Sequence, residues 1–220
     1  MKVTAIVPAK GHSERVSNKN LKKVGGKTLV RLACEKLLAC DNLHDVYIDT
    51  EDDRIKSEVR PLFSQGLELL DRPPELATND IGANEMFVYG MHAVDETDLL
   101  VHHYCTTPLV ETETIDKCIS EFVRKQDNHD SFFTVSPTKE YFWTNDSEPM
   151  NFDIEELPNS QNLDKLYKET HALYGIKTED LLQKQRRVGD NPLLVPISDR
   201  ESFDIDTSED LEIVRRLADF

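Results

Sequence analysis

Short apolar runs alternate along this chain with stretches in which apolar residues recur every three or four positions. The runs predict buried strands, and the recurring positions, such as Leu29, Ala33 and Leu37, predict amphipathic helices. In chain order the predicted strands are Val3–Val7, Val46–Ile48, Leu67–Leu70, Leu99–His103, Phe132–Val135, Ala172–Ile176 and Leu193–Pro196. Strands that alternate with helices predict an α/β fold, with a mostly parallel sheet covered by helices on both faces.

Helical patterns occupy most of the intervals between these strands. The predicted helices span residues 29–38, 55–63, about 80–94, about 115–123, 178–184 and 211–217. We expect Asp80 to cap the third of them, because a short acidic side chain can accept from the first free amides of a helix. Thr207 and Asp210 have the spacing of a capping box and predict the start of the last helix.

One segment, at about 137–168, breaks the alternation of strands and helices. Aromatic residues and prolines mix there with polar residues, as in Tyr141-Phe142-Trp143, and no long helical period is present. Aromatic-rich excursions of this kind act as lids or subunit contacts more often than as disordered linkers. We therefore expect a single domain of 220 residues with an excursion that acts as a lid or a dimerisation element.

Composition limits the class of protein. An apolar content of 38% is enough for a full core, and no apolar run approaches the roughly 20 residues of a membrane span. The first residues lack the long apolar region of a secretory signal, which predicts a cytoplasmic protein. Cys34, Cys40, Cys105 and Cys118 show no Cys-x-x-Cys spacing, so we expect reduced, structural thiols.

A cationic cluster stands out in this acidic chain. Between Lys10 and Arg31 there are seven basic side chains and one acidic side chain, Glu14, whereas the whole chain carries a net charge of −16. A small triphosphate suits this cluster better than nucleic acid, which the negative remainder would repel. The loop Pro8–Asn20 contains a glycine with lysines and an arginine, a composition that can hold phosphate oxygens. It lacks the Walker spacing, and a solvated charged loop is the alternative.

A second candidate site lies near the end of the chain, at Asp204-Ile205-Asp206. In an extended segment, alternate side chains point to the same side, so both carboxylates are expected to face one place. Paired carboxylates suit Mg²⁺, which binds one or two of them while it bridges substrate phosphates. The alternative is a polar turn before a capped helix.

Four ordered segments together resemble the acylneuraminate cytidylyltransferases, also called CMP-sialic acid synthetases. The loop Pro8–Asn20 resembles the family's Pro-Ala-Arg-x-Gly-Ser-Lys-Gly-x-x-x-Lys-Asn, and Arg72–Thr78 resembles its Arg-Pro-x-Glu-Leu-Ala-Thr. Thr106–Leu109 resembles its Thr-Ser-Pro-Leu turn, and Asp204–Thr207 keeps its Asp-Ile-Asp-Thr. The match runs nearly from end to end.

This resemblance implies a Rossmann-like nucleotidyltransferase fold with a small dimerisation excursion. It also implies transfer of CMP from CTP to the anomeric hydroxyl of a sialic-acid-like 2-keto-3-deoxy sugar acid, with release of pyrophosphate. Mg²⁺ is the implied cofactor, and a homodimer is the implied assembly. The implied partners are CTP and the acidic sugar, with neither nucleic acid nor membrane.

The resemblance also assigns roles to residues. It implies Lys10, Arg15 and Lys19 as catalytic cations and Asp204 and Asp206 as metal ligands. The implied nucleotide site comprises Ala9, Lys10, Gly11, Ser13, Lys19, Asn20, Arg72, Tyr104 and Thr106. The implied acceptor site comprises Gln161, Glu169, His171 and Tyr174.

The chain departs from the family pattern at three places. Lys10 replaces the loop arginine, Glu14 replaces a lysine, and Tyr104-Cys105 replaces the Gln-Pro that precedes the Thr-Ser-Pro turn. Arg15, next to Glu14, offers a substitute cation. Two alternatives follow: a cytidylyltransferase for another ulosonic acid, of the KDO, legionaminic or pseudaminic type, or a noncatalytic nucleotide-binding module.

Overall fold

The computed structural model describes residues 1–218, which form a central sheet flanked by helices. The strands are β1 Val3–Pro8, β2 Lys23–Val24, β3 Lys27–Thr28, β4 Asp45–Thr50, β5 Leu67–Asp71, β6 Leu99–His103, β7 Ser131–Thr138, β8 Leu166–Lys177 and β9 Pro192–Pro196. The α-helices are α1 Leu29–Leu38, α2 Asp53–Val59, α3 Ala83–Ala93, α4 Thr112–Lys125, α5 Thr178–Lys184 and α6 Ser208–Ala218. No helix in this part of the chain is long and apolar enough to cross a membrane.

Seven strands form the main sheet, in the order β5-β4-β1-β6-β8-β7-β9, and β2 pairs with β3 in a separate hairpin. Only β8 is antiparallel to its neighbours β6 and β7 within this sheet. The other neighbouring strands run parallel. This topology confirms the predicted α/β fold with a mostly parallel sheet.

The strand order reverses at β1. From β1 the chain builds outward to β4 and β5, and it then returns to place β6 on the other side of β1. In open α/β sheets, ligands bind at such a reversal, beyond the carboxyl ends of the strands. The loops that follow β1 and β6 are therefore placed to line a ligand site.

The core has one layer on each face of the sheet. Strand β6 supplies both, since Leu99 and Val101 belong to the larger cluster and Leu100 belongs to the smaller one. The adjacent His102 stacks on Phe87, with the ring centroids 3.7 Å apart. The four cysteines are free and buried, as predicted from their spacing.

Several boundaries differ from the predictions, most clearly at α2, α3 and β8. Helix α2 ends at Val59 rather than at residue 63, and the chain continues as a 3-10 helix. Helix α3 begins at Ala83 with Gly82 at its N-cap, so the prediction that Asp80 caps this helix is wrong. Gly82 is still extended, which places Asp80 too far from the first turn to accept from its amides. Strand β8 begins at Leu166 rather than Ala172, because its first half pairs with β7 while most of its side chains stay exposed and lack an apolar pattern.

Residues 139–165 form the excursion from the sheet, between β7 and β8. Its aromatic residues pack on one another, with the rings of Tyr141 and Trp143 each 5.1 Å from that of Phe152. Other apolar side chains remain exposed, including Met150 at 64% and Leu157 at 62%. The excursion contains no α-helix, in agreement with the missing helical period.

Candidate active site

Two cavities open at the carboxyl ends of the central strands. The first, called here the β1–β6 cavity, has a volume of about 280 Å³. It is lined by Pro8, Lys10, Ser13, Lys19, Asn20, Arg72, Leu76, Thr78, Ile81, Gly82, Ala83, Met86, Tyr104 and Thr106. The second, the β7–β8 cavity, has a volume of about 930 Å³ and is lined by residues 136–140 and 168–171, by Phe142, Asp199, Ser202 and Phe203, and by Asp204, Asp206 and Asp210.

The cationic loop and the paired aspartates meet between these cavities. Lys19 lies in a 3-10 turn and is buried, and its Nζ donates to the carbonyl of Ile205 at 2.6 Å. The same Nζ lies 3.4 Å from Oδ1 of Asp206, and Nη2 of Arg15 lies 2.8 Å from that oxygen. The cationic loop and the aspartate segment therefore converge, and Arg15, the substitute cation, reaches Asp206.

Asn79 links Lys10 and Glu14, the two loop residues that depart from the family pattern. Its Oδ1 accepts from Lys10 Nζ, and its Nδ2 donates to a carboxylate oxygen of Glu14. The Glu14 carboxylate is thereby held on Asn79, and Lys10 remains on the wall of the β1–β6 cavity. Glu14, the acid that replaces the family's lysine, is therefore hydrogen-bonded to Asn79 within the protein.

Gly11 has a different environment from the one expected of a phosphate-binding glycine. Its N–H donates to Oε1 of Glu51 at 2.7 Å, and a Cβ added to it would lie 2.0 Å from Oδ2 of Asp52. Glycine is therefore required because the acidic turn before α2 packs on the loop. Gly11 does not line the β1–β6 cavity, and neither does Ala9, which is fully buried.

Arg72 is held by a buried ion pair with Asp49 at the end of β4. Nε of Arg72 donates to Oδ1 of Asp49 at 3.0 Å, and Nη2 donates to Oδ2 at 2.6 Å. Burial raises the pKa of Asp49, and the guanidinium opposes that rise. Because this bidentate pair fixes the guanidinium, Arg72 presents a rigid cation to the β1–β6 cavity.

Asp204 and Asp206 both line the β7–β8 cavity, while Ile205 between them is fully buried. The predicted alternation of this segment is confirmed. Within the described residues, Oδ1 of Asp204 is buried and has no hydrogen-bond partner. An unpartnered carboxylate oxygen beside a second carboxylate fits Mg²⁺. Residues 1–218 contain no group of three or more His, Cys, Asp or Glu side chains that could hold a metal, so other ligands would come from substrate and water.

A bulge in β8 brings His171 to the same cavity. His171 adopts a left-handed backbone with φ of 57°, opposite a shift in the pairing with β7. Its Nδ1 lies 3.5 Å from Oδ2 of Asp204, and the hydrogen bond to Asp204 raises the pKa of His171. Glu169 lies on the same wall, with Oε1 3.9 Å from Nε2 of His171. The structure thus brings Glu169 and His171 next to the paired aspartates.

The other two residues implied for the acceptor lie elsewhere. Tyr174 is fully buried in the smaller core layer, and its hydroxyl donates to Glu169. Gln161 belongs to the excursion, where its carbonyl accepts from Lys139, and it does not line the β7–β8 cavity. Neither side chain forms part of the cavity wall.

Arg187 belongs to the site but was not predicted from the sequence. Its Nη2 donates to Oε1 of Glu169 at 2.7 Å, and its guanidinium carbon lies 4.1 Å from the centroid of the Tyr174 ring. Arg186 and Arg187 are adjacent in a polar loop. No periodicity or motif distinguishes the arginine that turns inward.

Comparisons with known proteins identify the family of this chain. The family model described as Cytidylyltransferase matches residues 4–218. The 8-amino-3,8-dideoxy-manno-octulosonate cytidylyltransferase of Shewanella frigidimarina is 29% identical over 124 residues, 56% of this chain and 49% of that protein. The 3-deoxy-manno-octulosonate cytidylyltransferase 2 of Hydrogenovibrio crunogenus is 30% identical over 138 residues, 62% of this chain and 52% of that protein. The chain therefore spans about half the length of the curated relatives it matches.

A solved structure described as CMP:2-keto-3-deoxy-manno-octonic acid synthetase complexed with CTP has the same fold. Its TM-score is 0.70 at 16% identity, and the match covers 99% of this chain and 98% of the other. The two curated relatives are named for octulosonates rather than for sialic acid. The resemblance to the sialic acid branch is thus confirmed only at the level of the larger family. Since the family model matches almost every residue, this chain belongs to the cytidylyltransferase family.

Proposed function

We propose that this protein transfers CMP from CTP to the anomeric hydroxyl of a 2-keto-3-deoxy sugar acid and releases pyrophosphate. One observation carries the proposal: Lys19 and Arg15 converge on Asp206 between two cavities. A nucleotide cavity, an acceptor cavity and charged groups at their junction are the parts that such a transfer requires.

The β1–β6 cavity is the proposed nucleotide site. On the side of the cationic loop, the cavity is lined by Lys10, Ser13 and Lys19. These side chains would bind the oxygens of the triphosphate. Tyr104 and Arg72 line the cavity on the strand side, where the base and ribose would lie. Cationic groups at the triphosphate stabilise the charge that moves onto the leaving pyrophosphate when the α-phosphorus bond breaks.

The β7–β8 cavity is the proposed acceptor site. Glu169 and His171 are placed to contact the hydroxyl groups of the sugar acid, and Lys139 and Lys168 supply cations for its carboxylate. In the reaction, the anomeric oxygen forms a bond to the α-phosphorus, the bond to pyrophosphate breaks, and the hydroxyl proton is lost to a base. Each cavity thus holds one of the two reactants.

Mg²⁺ is the proposed cofactor, and Asp204 and Asp206 are the residues that would hold it. When bound, it would neutralise charge on the phosphates and help to align them. Arg15 and Lys19 pair with Asp206, and both would contact the same phosphates in the proposed complex. The chain therefore supplies two cations of its own at this junction, the buried Lys19 and the exposed Arg15.

An eight-carbon octulosonate is the first acceptor that we propose, because both curated relatives are named for octulosonates. A nine-carbon sialic acid is the second candidate, supported by the Thr106–Leu109 and Asp204–Thr207 motifs. The cavity of about 930 Å³ is large enough for either sugar. Only turnover can separate the two.

The test is release of pyrophosphate from CTP with a panel of acceptors and Mg²⁺. The panel contains 3-deoxy-manno-octulosonate, its 8-amino-8-deoxy analogue and N-acetylneuraminate, with UTP and ATP as control nucleotides. We expect turnover with CTP and one octulosonate, and a CMP-sugar detectable by mass spectrometry. CTP binding by calorimetry without turnover on any acceptor would instead favour the noncatalytic nucleotide-binding module, and absence of CTP binding would overturn the proposal.

A further inference from the structure

The loop between α5 and β9 reaches the wall of the β7–β8 cavity through Arg187. Nη2 of Arg187 donates to Oε1 of Glu169 at 2.7 Å, and the backbone N–H of Arg187 donates to Oδ1 of Asn84 at 3.0 Å. Asn84 lies in the first turn of α3, next to residues that line the β1–β6 cavity. One arginine in this loop therefore contacts elements of both cavities.

Hydrogen bonds attach this loop to the start of β7 and so hold Arg187 in a fixed position. The amides of Asp190 and Asn191 donate to the carboxylate of Asp130 at 2.6 and 3.1 Å, and Gly189 N–H donates to Ser131 Oγ at 2.8 Å. A Cβ on Gly189 would lie 2.0 Å from Asp130, so glycine is required for this approach. An arginine on such a loop can hold a partner in one geometry.

Glu169 is held by two donors on a single oxygen. Arg187 and the hydroxyl of Tyr174 both donate to Oε1, while no described residue donates to Oε2. The Arg187 guanidinium also covers the Tyr174 ring, 4.1 Å from its centroid. The carboxylate is therefore fixed on one side and has an oxygen left for a ligand in the β7–β8 cavity.

Tyr174 extends this arrangement toward the nucleotide side. Its ring packs edge-on against that of Tyr104, with the centroids 5.9 Å apart, and Tyr104 lines the β1–β6 cavity. Burial raises the pKa of Tyr104, and the nearby Arg187 opposes that rise. Arg187 thus lies behind the walls of both cavities, whereas the one ion pair that it forms within residues 1–218 is with Glu169, on the acceptor side.

We propose that Arg187 is a positioning residue for the acceptor: it holds Glu169 so that Oε2 accepts from a hydroxyl or ammonium group of the sugar acid. The proposal rests on the proposed function, because it assigns the β7–β8 cavity to the sugar acid. Arginine suits this role better than lysine, since its planar group can donate to a carboxylate while it stacks on an aromatic ring.

The experiment measures kcat and both KM values for Arg187→Met and Arg187→Lys, using CTP and the acceptor on which the wild type is most active. Loss of a charged hydrogen bond to the carboxylate should raise KM for the sugar acid about ten- to hundredfold. We expect KM for CTP to change less than about threefold, since the ion pair of Arg187 is with Glu169, whereas its neighbour on the β1–β6 cavity, Tyr104, is an uncharged partner. Arg187→Lys should recover part of the loss because it keeps the charge.

Arg186→Met is the matched control. Arg186 is the neighbouring arginine, and it pairs with Asp190, which is largely exposed. We expect this variant to keep the kinetic constants of the wild type. Tyr174→Phe removes only the second donor to Glu169 and should raise KM for the sugar acid in the same way, even if Arg187→Met fails to fold.

A double-mutant cycle distinguishes positioning from a general structural role. In a Glu169→Gln background, Arg187→Met and Tyr174→Phe should each add little further loss, because both act through the Glu169 carboxylate. Equal effects in both backgrounds, or an unchanged KM for the sugar acid, would overturn the inference alone. A wild type that is silent with every acceptor would instead overturn the proposed function, and the inference with it.

Discussion

At the scale of single residues, the site depends on charged groups whose partners are far away in the chain. Asp49 and Arg72 lie at the ends of β4 and β5, and they are almost completely buried, with 2% and 4% of their side chains exposed. A buried ion pair that loses one partner leaves an uncompensated charge in a medium of low dielectric. The position of Arg72 on the wall of the β1–β6 cavity therefore depends on Asp49.

Asp49→Asn should lower the free energy of unfolding by about 3–5 kcal/mol, because it leaves the buried guanidinium without its counterion. Urea unfolding followed by circular dichroism measures this change. Asp71→Asn is the control, since Asp71 pairs with Lys56 at an exposed position and should cost less than about 1 kcal/mol. If both variants lost a similar amount of unfolding free energy, the buried Asp49 pair would contribute no more to stability than the exposed Asp71 pair.

Asp206→Asn should keep the fold but lower kcat at least about a hundredfold, because the change removes the charge shared by Lys19, Arg15 and the proposed metal. Steady-state turnover under saturating CTP and Mg²⁺ measures the effect, with a thermal melt to confirm folding. Glu209→Gln, an exposed acid in the first turn of α6, should leave kcat unchanged. An active Asp206→Asn enzyme would remove Asp206 from the reaction.

At the scale of elements, a buried acid attaches the loop of Arg187 to β7. Asp130 accepts from Lys184 Nζ at 2.9 Å and from the amides of Asp190 and Asn191. Burial acts to raise the pKa of Asp130, but these hydrogen bonds outweigh it and hold the pKa well below its usual value. A folded-state pKa below the unfolded one means that the ionised acid stabilises the fold above about pH 4.

Asp130→Asn should therefore destabilise the protein by about 2–4 kcal/mol at pH 7. The loss should shrink as the pH falls below about 4, where the unfolded chain takes up a proton that the native Asp130 resists. Urea midpoints at pH 7 and pH 3 check this. Asp127→Asn, at an exposed position near the end of α4, should have little effect at either pH. A difference that stays constant with pH would contradict the assignment.

At the scale of the whole molecule, the excursion of residues 139–165 presents apolar side chains to solvent. Met150, Ile154 and Leu157 are each more than half exposed. Large apolar side chains that stay exposed within one segment favour an interaction surface. The predicted homodimer provides one covering partner, a second copy of the same chain, because a two-fold interface pairs identical patches.

We predict a particle of twice 25.2 kDa by light scattering. Leu157→Glu should shift the protein toward monomer, because it places a charge in the apolar contact. Leu182→Glu is the control, since Leu182 is 52% exposed on α5, outside the excursion. A monomeric wild type, or a dimer insensitive to Leu157→Glu, would contradict this assignment of the excursion.

Predictions that rest on neighbouring residues were accurate, whereas those that depend on distant parts of the chain were not. Helices α1 and α5 begin and end where they were predicted, and in α1 a buried face recurs at every turn. The first half of β8 was missed, since it pairs through its backbone while most of its side chains stay in solvent. Asp80 was misplaced because a cap depends on where the backbone turns, and several polar residues precede α3.

The sequence by itself determined the α/β fold, the cationic loop, the aspartate pair and the larger cytidylyltransferase family, though not its branch, because hydrophobic period and short motifs are local properties of a chain. Only the tertiary structure decided which side chains share a cavity: it placed Lys19 on Asp206, 187 residues away, buried Tyr174, and brought Arg187 to Glu169. Such partners are chosen by the packing of separate elements, whose relative positions depend on the whole core rather than on neighbouring residues.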